Sequence, residues 1–183
     1  MQNIISDQFL SGGGTYDEQS DFMKVGEWIQ LSDEFQNSLQ VLYNGQYKNG
    51  NKIGKWDISV SGKQIGGGIY EEKGDGMKIG EWVELSEGFS SLSQVVYQGE
   101  YKNSKKIGRW KILYSKMFDN QFKEIGGGSF DDDIKIGNWI ELIDGFGLNG
   151  FVTCKGDYKK GKKVGNWMAL DYFKNENLGD KLY

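Results

Sequence analysis

Six tryptophans, Trp28, Trp56, Trp82, Trp110, Trp139 and Trp167, could do chemistry together, because each closes the same short motif. Two residues before each stands a glycine (Gly26, Gly54, Gly80, Gly108, Gly137, Gly165), and two before that a lysine (Lys24, Lys52, Lys78, Lys106, Lys135, Lys163), with Val or Ile between them. Indole faces at a fixed spacing could stack on a sugar or hold a quaternary ammonium by cation–π attraction. The competing use is burial. Each indole removes roughly 150–250 Å² from water, about 4–6 kcal/mol at ~25 cal/mol/Å². A ligand cage needs more than one aromatic after the glycine, whereas Asp57 and Lys111 follow Trp56 and Trp110. The tryptophans are expected in the core.

Other chemistry-bearing residues are sparse. Acidic runs (Asp17/Glu18/Asp21, Glu71/Glu72/Asp75, Asp131/Asp132/Asp133) suggest calcium, but none has the spacing or terminal glutamate of an EF-hand loop. Gly12-Gly13-Gly14, Gly66-Gly67-Gly68 and Gly126-Gly127-Gly128 suggest phosphate binding, yet none leads into Gly-Lys-Ser/Thr or opens a helix, so they are read as turn glycines. The single cysteine, Cys154, has no neighbouring base and reads as a small apolar residue. Histidine is absent, which removes the commonest general base and metal ligand. No catalytic set, cofactor or metal is expected, and the chain is read as not an enzyme.

A net charge of −4 argues against nucleic acid as a partner. The lone cysteine allows no internal disulfide framework, and no apolar run is long enough to cross a bilayer; the opening residues also lack a basic n-region and an apolar h-region. A soluble, cytoplasmic protein is expected.

The elements that would position the tryptophans follow from a second motif. Upstream of each lies Gly-x-aromatic, in the pairs Gly14/Tyr16, Gly45/Tyr47, Gly68/Tyr70, Gly99/Tyr101, Gly128/Phe130 and Gly156/Tyr158. The second unit joins its two arms through Asn49-Gly50, and Asn-Gly between alternating runs signals a type I′ hairpin turn. That turn sets Tyr47 opposite Lys52, Gly45 opposite Gly54 and Tyr43 opposite Trp56, an aromatic pair closing over a glycine pair. Odd and even units differ, so the period is a pair of hairpins. Apolar residues follow odd tryptophans at one and three places (Ile29/Leu31, Val83/Leu85, Ile140/Leu142) and Trp56 and Trp110 at two and four (Ile58/Val60, Ile112/Tyr114). A shift of one flips the buried face, so alternate hairpins use different faces or carry a bulge at the tryptophan. Phe35, Phe89 and Phe146 in the repeated connections are expected to cover the edge between hairpins.

The expected fold is all-β: an elongated single-domain array of six antiparallel β-hairpins in three tandem pairs. One repeat domain spans 1–183, with an N-terminal cap at 1–11, repeat pairs at 12–65, 66–125 and 126–170, and a C-terminal cap at 171–183. Hairpin tips alternate in charge, and the basic tips supply the candidate partner-binding residues Lys102, Lys105, Lys106, Lys159, Lys160, Lys162 and Lys163.

The even units, such as Tyr43-x-Gly45-x-Tyr47-Lys48-Asn49-Gly50-x-Lys52-Ile53-Gly54-x-Trp56, resemble MORN-type repeats in their Gly-x-Trp variant. The odd units are a looser match, with Gly12, Gly66 and Gly126 in place of the leading tyrosine. Long arrays mixing both unit types also resemble repeat proteins of ciliates. The resemblance implies a non-catalytic scaffold or protein-interaction module in a cytoskeletal or ciliary assembly, with a protein partner or self-association. Two alternatives stand beside it: binding to a phospholipid surface through the basic tips, and small-ligand or carbohydrate binding on the aromatic residues.

Overall fold

A computed structural model describes residues 12–19, 21–32, 39–116 and 121–183. The expected N-terminal cap and Phe35 lie outside them. Thirteen strands form one open antiparallel sheet in strict chain order: β1 (Gly13–Asp17), β2 (Met23–Leu31), β3 (Val41–Lys48), β4 (Asn51–Val60), β5 (Lys63–Tyr70), β6 (Lys78–Leu85), β7 (Gln94–Lys102), β8 (Lys105–Ser115), β9 (Lys123–Asp131), β10 (Ile134–Leu142), β11 (Val152–Lys159), β12 (Lys162–Asp171) and β13 (Asn177–Leu182). The described residues contain no helix long and apolar enough to cross a membrane. Repeated antiparallel hairpins are therefore the architecture, as the two motifs imply.

Turn chemistry sets these hairpins. Asn49 and Gly50 have φ of 49° and 79°, the two positive values that a type I′ turn requires. Asn103-Ser104, Asp132-Asp133 and Lys160-Gly161 repeat that pattern at other tips, and Ser61-Gly62 does so between β4 and β5. Backbone bonds then tie neighbouring tips together: Gly50 N donates to Lys24 O at 3.0 Å, Ser104 N to Lys78 O at 2.9 Å, Asp133 N to Lys106 O at 2.9 Å and Gly161 N to Lys135 O at 3.0 Å.

Register departs from the expectation at the glycines. Tyr47 does face Lys52, but Tyr43 faces Ile58, not Trp56, and Gly45 alone stands opposite Gly54-Lys55-Trp56. Two extra residues on the second arm form a bulge, which recurs at Gly-x-Trp in every hairpin. It therefore does not distinguish odd units from even ones. The two glycines of each hairpin do different work. Gly54 takes φ of 60° to turn the bulge, while Gly45 carries the indole: a Cβ there would lie 2.3 Å from Trp56 Cδ2. The rings lie across single glycines, not over glycine pairs.

The glycine triplets are not turns: Gly66-Gly67-Gly68 and Gly126-Gly127-Gly128 are strand residues throughout, and Gly13-Gly14 open β1. A Cβ would lie 2.6 Å from Val83 O at Gly66, 2.0 Å from Trp56 O at Gly67 and 2.2 Å from the Trp82 ring at Gly68. All three positions are close backbone or ring approaches. One extra residue, Ile65, then bulges between Gln64 and Gly66, and Ile125 does the same between Glu124 and Gly126. Such a one-residue slip moves every later side chain of the strand to the other face. Val83, Leu85 and Leu113 pack against a cluster that includes Phe89 and Val96, and Phe146 joins Val95, Ile112, Tyr114 and Ile125.

At the C-terminal end, residues expected only to cap the array contribute β13, which pairs with β12. Lys181 faces Trp167, and Tyr183 exchanges backbone bonds with Gly165 at 3.0 and 3.2 Å. Lys181-Leu182-Tyr183 thus stands where other first arms carry Gly-x-aromatic.

Candidate functional site

The two motifs converge on one continuous feature. Rings alternate along the sheet as Tyr16, Trp28, Tyr47, Trp56, Tyr70, Trp82, Tyr101, Trp110, Phe130, Trp139, Tyr158, Trp167 and Tyr183, with successive centroids 4.9–6.1 Å apart and planes 72–89° apart. This edge-to-face geometry sets the positive edge of one ring against the negative face of the next. The indoles are 2–6% exposed, so the core expectation holds. Indole nitrogens bond to the backbone, as Trp56 Nε1 does to Ile53 O (3.2 Å) and Gln46 O (3.3 Å); Trp167 Nε1 is the exception, buried with no partner.

The motif lysines complete this spine. Lys24, Lys52, Lys78, Lys106, Lys135 and Lys163 place Nζ 4.0–4.7 Å from the centroid of their own tryptophan, within cation–π range. Carboxylates bridge them in two pairs. Glu84 binds Lys78 through Oε1 and Lys106 through Oε2 (3.1 Å), and Tyr101 Oη donates to it at 3.0 Å. Glu141 joins Lys135, Lys163 (3.0 Å) and Tyr158 Oη (2.9 Å) in the same way. In the first pair the position is Gln30, whose Oε1 accepts from Tyr47 Oη at 3.0 Å.

Electrostatics follow this pattern. Burial alone would raise the Glu84 and Glu141 carboxyls, but their lysine bonds outweigh it and hold both below the usual carboxylate range. Burial and Glu84 push Tyr70 up to about 12, and burial with the adjacent carboxylate pushes Tyr101 and Tyr158 higher still. Lys163 is raised because Glu141 overcomes its burial. Lys52 is lowered to about 8 by burial, then by Lys78 and Lys24.

Sequence reasoning missed Gln30, Glu84 and Glu141. The signal was present: each is a polar residue two places after an odd tryptophan, framed by apolar neighbours (Trp82-Val83-Glu84-Leu85). The candidate partner-binding lysines divide. Lys106 and Lys163 belong to the spine, Lys105 pairs with Asp132, and Lys102, Lys159, Lys160 and Lys162 are exposed. The Asp131–Asp133 tip turns toward its basic neighbour, Asp133 Oδ1 accepting from Lys106 N at 2.7 Å. Cys154 is half-buried, and burial pushes its thiol up, as suits an inert residue.

Open clefts flank the spine. One of 460 Å³ is lined by Gln30, Leu31, Tyr43, Lys52, Ser86 and Glu87, among others. Its counterpart in the third pair, 500 Å³, includes Glu141, Leu142, Cys154 and Lys163. No family model matches the chain, and no curated protein matches it.

Proposed function

We propose that this chain is a non-catalytic scaffold or protein-interaction module, an elongated MORN-type array of six hairpins closed by one further strand. The observation that carries this reading is the spine. Its indoles and lysines are engaged with rings, backbone or carboxylates inside the molecule, so the residues best able to do chemistry hold successive hairpins together. Recognition is left to exposed tips and faces. Thirteen strands spaced ~4.8 Å span about 58 Å from edge to edge before twist shortens the sheet. A cytoplasmic place, within a cytoskeletal or ciliary assembly, suits such an array.

Small-angle scattering with quantitative pull-downs from native extract tests the reading. We expect an elongated particle and a protein partner, or a second copy, retained by the wild type and lost when exposed tip lysines are changed to glutamate. A compact sphere with no retained partner sinks it. One observation favours a second reading: Lys159, Lys160 and Lys162 crowd one exposed tip, as a phospholipid surface would require. Sedimentation with anionic vesicles at rising salt separates the two, because a triple Lys→Glu variant should lose vesicle binding only under the lipid reading. The ligand reading is disfavoured by buried indoles.

A further inference from the structure

The three hairpin pairs are internal copies, so a substitution in one of them can be read against the other two. In the second and third pairs, one glutamate bridges two spine lysines and accepts a tyrosine hydroxyl. The lysines of the first pair keep the same stance. Lys24 lies 4.4 Å from the Trp28 centroid and 5.1 Å from Tyr47, against 4.6 and 4.9 Å for Lys78 with Trp82 and Tyr101. Lys52 and Lys106 both stand 4.0 Å from their indoles.

The bridging carboxylate, however, has changed. Gln30 retains the tyrosine bond through Oε1, which leaves its amide NH₂ as a donor where the other pairs present an acceptor oxygen. Neither Lys24 nor Lys52 forms an ion pair among the described residues. Gln30 and Lys52 both line the 460 Å³ cleft, so an amide donor and an ammonium group border the same space. We propose that this first-pair cleft is a binding site for a carboxylate, held by the Lys24 and Lys52 ammonium groups and the Gln30 amide.

The charge balance supports it. Lys24 and Lys78 flank Lys52, Tyr43 and Tyr70 face it, and among the described residues Glu87 is the one acidic residue lining the cleft. Burial and like charge hold Lys52 down at about 8, whereas Lys163, beside Glu141, is raised. A bound carboxylate would do for Lys52 what Glu141 does for Lys163. It could come from a free monocarboxylate or from an acidic side chain of a protein.

The test follows the Lys52 ammonium by NMR through a pH titration of the full chain, with sodium acetate and then with sodium chloride at equal ionic strength. Acetate should raise the Lys52 pKa by about one unit or more while chloride leaves it. An acetylated, amidated tripeptide carrying one glutamate should act at lower concentration than acetate if the source is protein. Two variants reverse the logic. Gln30→Glu should abolish the acetate response, and Glu84→Gln should give Lys78 and Lys106 a response they lack. Equal effects of acetate and chloride overturn the proposal, as does an acetate response that survives Gln30→Glu. So does an acetate response that appears only in the Asp33→Asn, Glu34→Gln variant and not in the wild type, which would mean that the chain's own carboxylates fill the site. The wild-type acetate and chloride arms decide the matter even if a variant fails to fold.

Discussion

A glycine opposite Gly-x-Trp has a task no other residue can take. At Gly45 a methyl would lie 2.3 Å from the Trp56 ring, so Gly45→Ala must lift the indole off the strand. We expect a loss of about 3 kcal/mol, near the cost of a truncated core aromatic. Gly54→Ala meets open space on its bulge side except Glu72 Oε1 at 3.2 Å and should lose only the left-handed backbone penalty of roughly 1–2 kcal/mol. Urea denaturation orders the two, and acrylamide quenching should rise in Gly45→Ala alone. Titration offers a second check at this scale. Glu84 and Glu141 ionise more readily folded than unfolded, so their contribution is present above the ordinary value of 4.5 and is lost as pH falls through the folded value. Urea midpoints should drop on acidification, and Glu84→Gln should flatten that drop. Lys52 acts in the opposite sense. Its folded pKa near 8 lies below the unfolded 10.5, so it costs stability below pH 8 and the cost fades as pH rises between those values. Wild-type stability should rise between pH 8 and 9.5, and Lys52→Met should remove the rise.

Hairpins are joined at their tips as well as along their strands. Asp133 accepts a backbone N–H from Lys106, while Lys105 pairs with Asp132 in full solvent. Charge-assisted bonds to backbone outweigh exposed ion pairs. Asp133→Ala should therefore cost about 1 kcal/mol, and Lys105→Ala measurably less, by chemical denaturation. A reversed order would mean that the alternating tip charges, not the turn bonds, hold adjacent hairpins in register. The charge alternation legible in the sequence thus serves first inside the molecule. Only Lys102, Lys159, Lys160 and Lys162 remain as exposed basic tip candidates.

The main strand-to-strand contacts run between sequence neighbours, which makes stability approximately a sum of unit and interface terms. On β13, Lys181 stands opposite Trp167, where other first arms carry glycine. Ending the chain at Asn175 should expose Trp167 and the bare edge of β12, giving concentration-dependent association by sedimentation velocity and an early unfolding step confined to the last hairpin. Trp82→Ala in the middle should instead lower the main transition. If both variants unfold in one step with equal loss, the quasi-linear account is wrong.

By itself the sequence determined the all-β hairpin repeat, the turn at Asn49-Gly50 and the burial of the six tryptophans, because local spacing and turn chemistry carry those facts. Tertiary structure decided what depends on strands meeting. A two-residue bulge moved Tyr43 from Trp56 to Ile58, since period-two counting assumes an unbroken ladder. It placed Lys106 and Lys163 in the spine, because a charge at a turn and a charge over a ring look alike in one dimension. Glu84 and Glu141 gained their role only when two lysines from different hairpins came within reach, and the last strand stayed hidden because Lys181 breaks the glycine signature that marks the others.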